Sequence, residues 1–180
     1  MVFYGTEHSQ DPNHSKFNDI ENRFKKFIAK FGANKVEIAV ETSIPQESLS
    51  REELIRKYRE SGFLKFLSDQ YGVNIFCPEP KEKIIPLLLS FTKAKPAEVE
   101  RWILLNQDLN SKKTQKLLEP VGSTVYNKIS SDFRNVRDRY IAQGILNVLD
   151  KGRSVFAVFG TNHTVAQEPV FTDFFETLKS

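Results

Sequence analysis

The chain has 180 residues, of which 39% are hydrophobic and 27% charged, and its formal net charge is +3. This composition is typical of a soluble globular domain with its own core, and the scattered Lys and Arg residues argue against a nucleic-acid partner. The longest apolar stretch, residues 84–89, is interrupted by Pro86, and no signal-peptide pattern precedes the first strand-like run. The single Cys77 cannot form an internal disulfide. We therefore predict one cytoplasmic domain over residues 1–180, with neither nucleic acid nor membrane as a partner.

The first part of the chain predicts a strand, a helix and a second strand. Residues 2–4 form a short apolar run that is typical of a strand. From Phe17 onward, apolar residues recur at helical spacing until Gly32, which suits a helix C-cap. The β-branched run at residues 36–40 predicts the second strand, and the acidic Glu41 follows it directly.

Two helical stretches and a third strand come next. Ser50-Arg51-Glu52-Glu53 has the form of a capping box, so it predicts the start of a helix. A second helical stretch over residues 61–70 ends at Gly72. Residues 73–77 then predict a third strand, which leads into Pro78-Glu79-Pro80.

The remaining chain is helical up to one last strand. Pro96 is typical of the first turn of a helix, and a long helix is predicted over residues 131–149. Residues 154–159 predict the last strand, and residues 171–178 a terminal helix. The alternation of strands and helices predicts an α/β domain with a mostly parallel sheet of about four or more strands, flanked by helices.

The same pattern, Gly-Thr-x-His, follows the first and the last predicted strand. It occurs as Gly5-Thr6-Glu7-His8 and as Gly160-Thr161-Asn162-His163, and it contains two of the three histidines. With 8 glycines in 180 residues, a given histidine has a glycine three positions before it roughly 4% of the time, so two of three is below about 1%. Because ligands bind at the carboxyl ends of parallel strands, we expect both histidines to lie near Glu41 and Glu79, which follow the second and third strands.

An imidazole pair beside carboxylates suits two kinds of chemistry. His8 and His163 could act as general base and acid, with a carboxylate orienting one ring. They could equally hold a divalent metal, with Glu7, Glu41 or Glu79 completing the ligand set. The pattern alone leaves both alternatives open.

Three further residues have simpler expected roles. Arg137 lies on the apolar side of the predicted long helix, where it could point inward as an anion clamp. His14 lacks the repeated pattern and lies in a polar turn, so we expect an exposed loop residue. Cys77 lies inside an apolar strand, which favours a buried small hydrophobe over a nucleophile.

Taken in order, these segments resemble the superfamily that contains the erythromycin esterase-like, ChaN-like and TraB/Tiki-like proteins. The resemblance covers nearly the whole chain, from residue 5 to about residue 169. The segments that carry it are Gly5-Thr6-Glu7-His8, Glu41, Glu60-Ser61-Gly62-Phe63-Leu64, Pro78-Glu79-Pro80, Arg137-Asp138 with Ala142 and Ile145, and Gly160-Thr161-Asn162-His163. It implies an α/β fold with a hydrolytic or metal-associated site.

The resemblance also implies roles for individual residues. His8 would be the general base that activates water, assisted by Glu41. His163 and Arg137 would bind the substrate or stabilise developing negative charge. Three further residues are candidates for contact with the substrate: Glu60, Glu79 and Gln167.

The branches of this superfamily imply different chemistries. In the Tiki-like branch the motifs are tied to a divalent metal and peptide cleavage, and the candidate ligands here are Glu7, His8 and His163. The ChaN-like branch binds haem or iron, and the macrolide esterase branch acts on an ester. We therefore predict a hydrolase of an ester or amide bond in a small molecule or peptide. The alternatives are a non-enzymatic module that binds a metal or haem through both histidines, and an interaction protein that keeps the fold without activity.

Overall fold

The computed structural model describes the backbone of residues 1–92, 95 and 122–178, and their side chains except those of residues 122–129. Four parallel strands form one sheet in the order β1-β4-β2-β3. They are β1 (Val2–Thr6), β2 (Val36–Val40), β3 (Asn74–Phe76) and β4 (Ser154–Gly160). The predicted α/β class with a parallel sheet is confirmed.

Five α-helices accompany the sheet in the described part of the chain. They are α1 (Ser15–Phe31), α2 (Arg51–Tyr71), α3 (Ile85–Ser90), α4 (Gly122–Leu149) and α5 (Thr161–Thr177). Short 3-10 turns precede β2 and α3. The expected first-turn role of Pro96, and the helical pattern over residues 96–121, lie outside the described residues.

The sheet is buried on both faces because its strands carry apolar side chains in both directions, as parallel strands do. On one face, Ile38, Phe156 and Val158 pack with the apolar sides of α1 and α2. On the other face, Ala157 and Phe159 pack with apolar residues from the C-terminal part of α4 and from α5. β4 lies between β1 and β2, so the chain exits from these three strands are neighbours at one edge of the sheet.

Helices α1 and α2 both begin at residues whose side chains cap the helix. His14 is the N-cap of α1: its ring Nδ1 accepts a hydrogen bond from the Lys16 N–H at 3.3 Å, and the residue is exposed as expected. Ser50 and Glu53 form the predicted capping box at the start of α2. Helix α2 ends at Gly72, which adopts the left-handed conformation with φ 61°.

The two helical stretches predicted between residues 50 and 70 are one helix with a break. Arg59 interrupts α2 with φ 55° and ψ −133°, and the helix resumes at Glu60 in a new direction. Gly62 follows the break, and a Cβ atom there would overlap the carbonyl oxygen of Leu54. The break therefore requires glycine at position 62.

The predicted start of the last helix is wrong, because α5 begins at Thr161, directly after β4, and not near Phe171. The side of α5 that packs inward carries His163, Gln167 and Phe171, four residues apart, and two of these three are polar. Pro169 lies inside the helix. Because the buried side of α5 is largely polar and the helix contains a proline, its sequence lacks the usual apolar helical pattern.

The chain divides into two compact units. One comprises Met1–Glu79 and Ile141–Ser180 and contains the sheet, and the other comprises Pro80–Tyr140. The single-domain organisation stays a prediction. Among the described residues, no helix is both long enough and apolar enough to cross a membrane.

Candidate active site

The two Gly-Thr-x-His segments leave neighbouring strands side by side. In the parallel pairing of β1 with β4, Gly5 is opposite Phe159 and Thr6 is opposite Gly160. His8 follows two residues after the end of β1, and His163 lies in the first turn of α5. The expected convergence of the two motifs at one sheet edge is therefore found, although one histidine belongs to a helix.

The two glycines of the repeated pattern allow two different close approaches. A Cβ atom on Gly5 would lie 2.9 Å from Thr164 Oγ1, so glycine lets the first turn of α5 approach β1. A Cβ atom on Gly160 would lie 3.1 Å from Glu41 Oε2 and 3.4 Å from His8 Nε2. Gly160 therefore makes room for the carboxylate and the imidazole of the site.

Glu41 lies between the two histidines. Its Oε2 is 3.7 Å from His8 Nε2, and its Oε1 is 3.5 Å from His163 Nε2. The Gly160 N–H donates a hydrogen bond to Oε2 at 2.5 Å. Burial acts to raise the pKa of Glu41, but the hydrogen bonds from His163 and Gly160 and the two imidazoles outweigh it and lower this pKa to about 2. Glu41 is therefore ionised at neutral pH.

Glu60 holds the other side of the His8 ring. Its Oε2 is 2.9 Å from His8 Nδ1, and its Oε1 accepts a hydrogen bond from the Ser9 N–H at 3.1 Å. Because an ionised carboxylate can only accept, Nδ1 must carry the proton in this contact. In a neutral His8, Nε2 then keeps the free lone pair. We call Glu60, His8, Glu41 and His163 the His–Glu cluster.

Lys16 compensates the charge of Glu60. The side chains of Lys16 and Glu60 are only 9% and 6% exposed, and the ammonium contacts Glu60 Oε1 as well as the carbonyl oxygen of Glu7. Burial acts to raise the pKa of Glu60, but the hydrogen bonds from Lys16 and His8 keep this pKa below its ordinary value. The carboxylate that orients His8 is thus held ionised.

The break in α2 brings Glu60 to this position. The backbone of Arg59 lies in a region that residues other than glycine rarely adopt, and such strain costs about 1–3 kcal/mol. Local strain of this kind is concentrated at functional sites. Here it directs the first residues of the resumed helix, Glu60 and Ser61, toward β1 and β2, where Glu60 contacts His8 and the Ser61 hydroxyl is 2.6 Å from Thr42 Oγ1.

A pocket of about 410 Å³ adjoins the His–Glu cluster. Val158 and Phe159 contribute its apolar part, and the remaining lining is polar. The polar lining residues are Thr6, His8, Glu41, Thr42, Ser43, Lys57, Tyr58, Arg59, Glu60 and Ser61. This volume lies within the range of small-molecule sites, and the imidazole-bearing His8 is one of the lining residues.

The roles predicted for the other candidate site residues stay predictions. Glu79 is half-buried after β3, and Gln167 is 1% exposed within α5; neither lines the pocket. Arg137 belongs to the unit Pro80–Tyr140, so its role stays a prediction. Glu7 is exposed, and its contact with Lys16 uses the backbone carbonyl.

A divalent metal does not fit the described residues. None of them form a group of three or more His, Cys, Asp and Glu side chains arranged to hold a metal ion. Glu7, His8 and His163 therefore gain no support as a ligand set. The hydrogen bond from Nδ1 and the hydrogen-bonded carboxylates instead suit proton transfer at His8.

Two contributors to the site carry no recognisable sequence signal. Lys16 is one lysine among many in a helical pattern, and nothing in the spacing marks it as the partner of Glu60. The break at Arg59 falls between two predicted helical stretches, but the sequence does not show the new direction of the chain.

Comparison of the chain with models of known protein families, with curated proteins and with solved structures finds no match in any of the three. The superfamily resemblance therefore stays a prediction.

Proposed function

We propose that this protein is a hydrolase that cleaves an ester or amide bond in a small molecule or peptide with water activated by His8. The observation that carries the proposal is the 2.9 Å contact between Glu60 and His8 Nδ1, made at the wall of the pocket. This contact leaves Nε2 as the basic atom, because Nδ1 must carry the proton that it shares with the carboxylate. A carboxylate that orients a histidine in this way is a recurrent arrangement in hydrolytic sites.

In the proposed reaction, His8 first acts as a base and then as an acid. Nε2 takes a proton from water while the water oxygen forms a bond to the substrate carbonyl carbon. As the tetrahedral intermediate collapses, the bond to the leaving alcohol or amine breaks, and the same proton passes from Nε2 to that leaving group. The ring returns to its starting state, so one water molecule is consumed in each cycle.

The two carboxylates stabilise the positively charged ring that exists between these steps. Glu60 accepts the hydrogen bond from Nδ1, and Glu41 lies 3.7 Å from Nε2. Because the pKa of Glu41 is lowered to about 2, it is a weak base at neutral pH and acts through its charge. This favours His8 over Glu41 as the residue that takes the proton.

Substitution of the histidines tests the proposal. We expect His8→Ala to lower kcat/KM for 4-nitrophenyl acetate by about 10²–10⁴-fold, the usual contribution of a general base. His163→Ala should lower it as well, because Glu41 loses one of its two imidazole neighbours. His14→Ala is the matched control, since His14 is exposed and does not line the pocket.

Circular dichroism should show that the variants are folded. Equal rates for wild type and His8→Ala would refute the proposal, and an equal loss in His14→Ala would indicate unspecific catalysis by surface histidines. The alternative of a metal- or haem-binding module predicts stoichiometric metal in the purified protein, or a Soret band on titration with haem. Either signal, lost in both His8→Ala and His163→Ala and accompanied by no esterase activity, would support that alternative instead.

A further inference from the structure

The pocket beside the His–Glu cluster contains one cation whose charge the described structure leaves uncompensated. Glu60 pairs with Lys16, and Glu41 accepts from Gly160 and lies against His163. Each carboxylate of the site thus has its own donors. Arg59 lines the same pocket.

The second cation of the pocket is already paired. Lys57 Nζ donates to both oxygens of Glu47, at 2.7 and 3.0 Å, and Tyr58 donates to the same carboxylate at 2.6 Å. Within the described part of the chain, no ion pair is found for Arg59, an exposed residue that lines the pocket. An anionic group in the pocket would therefore find its free charge partner at Arg59.

The backbone of Arg59 adds a second, independent observation. With φ 55° and ψ −133°, position 59 favours glycine, so an arginine is held there against its conformational preference. Glycine would give the same break in α2 with less strain, because it adopts positive φ readily. The break in α2 therefore does not need the arginine side chain, which indicates a separate role for the guanidinium.

We propose that Arg59 binds an anionic group of the substrate, so that the enzyme acts on small esters or amides that carry a carboxylate or phosphate. This inference rests on the proposed hydrolytic function, because only a hydrolase would make the bound anion part of a substrate. The volume of about 410 Å³ suits a small molecule of this kind. The guanidinium recognises both groups in the same way, through parallel hydrogen bonds to two oxygens.

Two acetate esters that differ in one charge test the proposal. One is 4-acetoxybenzoate, which carries a carboxylate, and the other is 4-acetoxybenzamide, which is neutral. We expect wild type to prefer the anionic ester, and Arg59→Gly to lower the ratio of the two kcat/KM values by about 10-fold or more, the usual effect of losing a charged hydrogen bond. Arg59→Lys should lower the ratio less.

Arg56→Gln is the matched control, since Arg56 is an exposed arginine of the same helix that does not line the pocket. It should leave the ratio unchanged. Because glycine relieves the strain at position 59, the Tm of Arg59→Gly should equal or exceed that of wild type. A loss of preference in that variant then cannot come from unfolding.

Calorimetric titration with sodium benzoate and with inorganic phosphate separates this inference from the proposed function and distinguishes the two anions. Benzoate binding that is lost in Arg59→Gly supports a carboxylate, and phosphate binding lost in the same way supports a phosphate. If either anion binds through Arg59 while no ester is hydrolysed, the anion site stands and the hydrolase proposal fails. The inference is overturned if neither anion binds to wild type, or if Arg59→Gly changes neither the binding nor the ratio.

Discussion

Replacing Gly160 with alanine should damage the site while sparing the fold. The added Cβ would lie 3.1 Å from Glu41 Oε2 and 3.4 Å from His8 Nε2, so the carboxylate must retreat by a few tenths of an ångström. The hydrogen bond from the Gly160 N–H, now 2.5 Å, would lengthen toward the ordinary length of about 2.9 Å and survive. Since a misplacement of about 1 Å can cost 10²-fold in rate, we expect kcat/KM to fall by about 10-fold.

The expected change in stability is small, for two opposing reasons. Gly160 has φ −56° and ψ 144°, which alanine adopts without strain, and the lower entropy of the unfolded chain favours alanine by about 0.4–1 kcal/mol. The tight contact with Glu41 costs about 1 kcal/mol or somewhat more, the lower end of the range for overpacking. The two effects nearly cancel, so the free energy of unfolding in urea should change by less than about 1 kcal/mol.

Gly72→Ala is the matched control, for which we expect lower stability and unchanged activity. A Cβ at Gly72 would contact nothing within 4 Å, but the residue has φ 61°, so alanine should destabilise the protein by about 1–2 kcal/mol. The activity of its folded fraction should equal that of wild type. The reasoning is refuted if Gly160→Ala keeps full activity, or if its activity falls only in proportion to lost stability.

Three further outcomes are expected. Gly62→Ala should destabilise the fold by about 3 kcal/mol in urea unfolding, because its Cβ would overlap the Leu54 carbonyl oxygen; a neutral effect would contradict the described break in α2. Lys16→Met should raise the pKa of Glu60, as measured by NMR titration of its side-chain carboxyl carbon, whereas an unchanged titration would show that Lys16 does not support Glu60. Since the pKa of Glu41 is about 2 when folded and 4.5 ordinarily, its contribution to stability is complete above pH 4.5 and is lost as the pH falls toward 2; Glu41→Gln should lack this part of the pH dependence in acid unfolding.

Much of the fold could be predicted because residues close together in the sequence specify its strands and its helix caps. The run at residues 36–40 is apolar except for Glu37, as expected of a central parallel strand, and the capping box at Ser50 marks a helix start by its own hydrogen bonds. The start of α5 could not be predicted in the same way. Its buried side carries His163 and Gln167, and these buried polar residues interrupt the apolar period.

The candidate site was predictable in its location but not in its contacts. Parallel strands carry their C-terminal residues to one edge, so Glu41 and the two histidines could be placed together from the order of elements alone. The contact between Glu60 and His8 depends on the break at Arg59, and a change of helix direction is a tertiary property that no spacing of residues encodes. Lys16 is recognisable only through its position beside Glu60 in the folded chain.

The repetition of Gly-Thr-x-His at two strand ends does not make the two histidines equivalent. His8 follows β1 in an open segment, where Glu60 orients its Nδ1 and its side chain is 39% exposed at the pocket. His163 is fixed in the first turn of α5, its side chain is 10% exposed, and its Nε2 lies against the carboxylate of Glu41. A base must reach its substrate, whereas a residue that holds a carboxylate ionised acts best when it is buried and rigid. The same four-residue pattern thus delivers an accessible imidazole from one strand, which we propose as the base, and a buried imidazole from its neighbour.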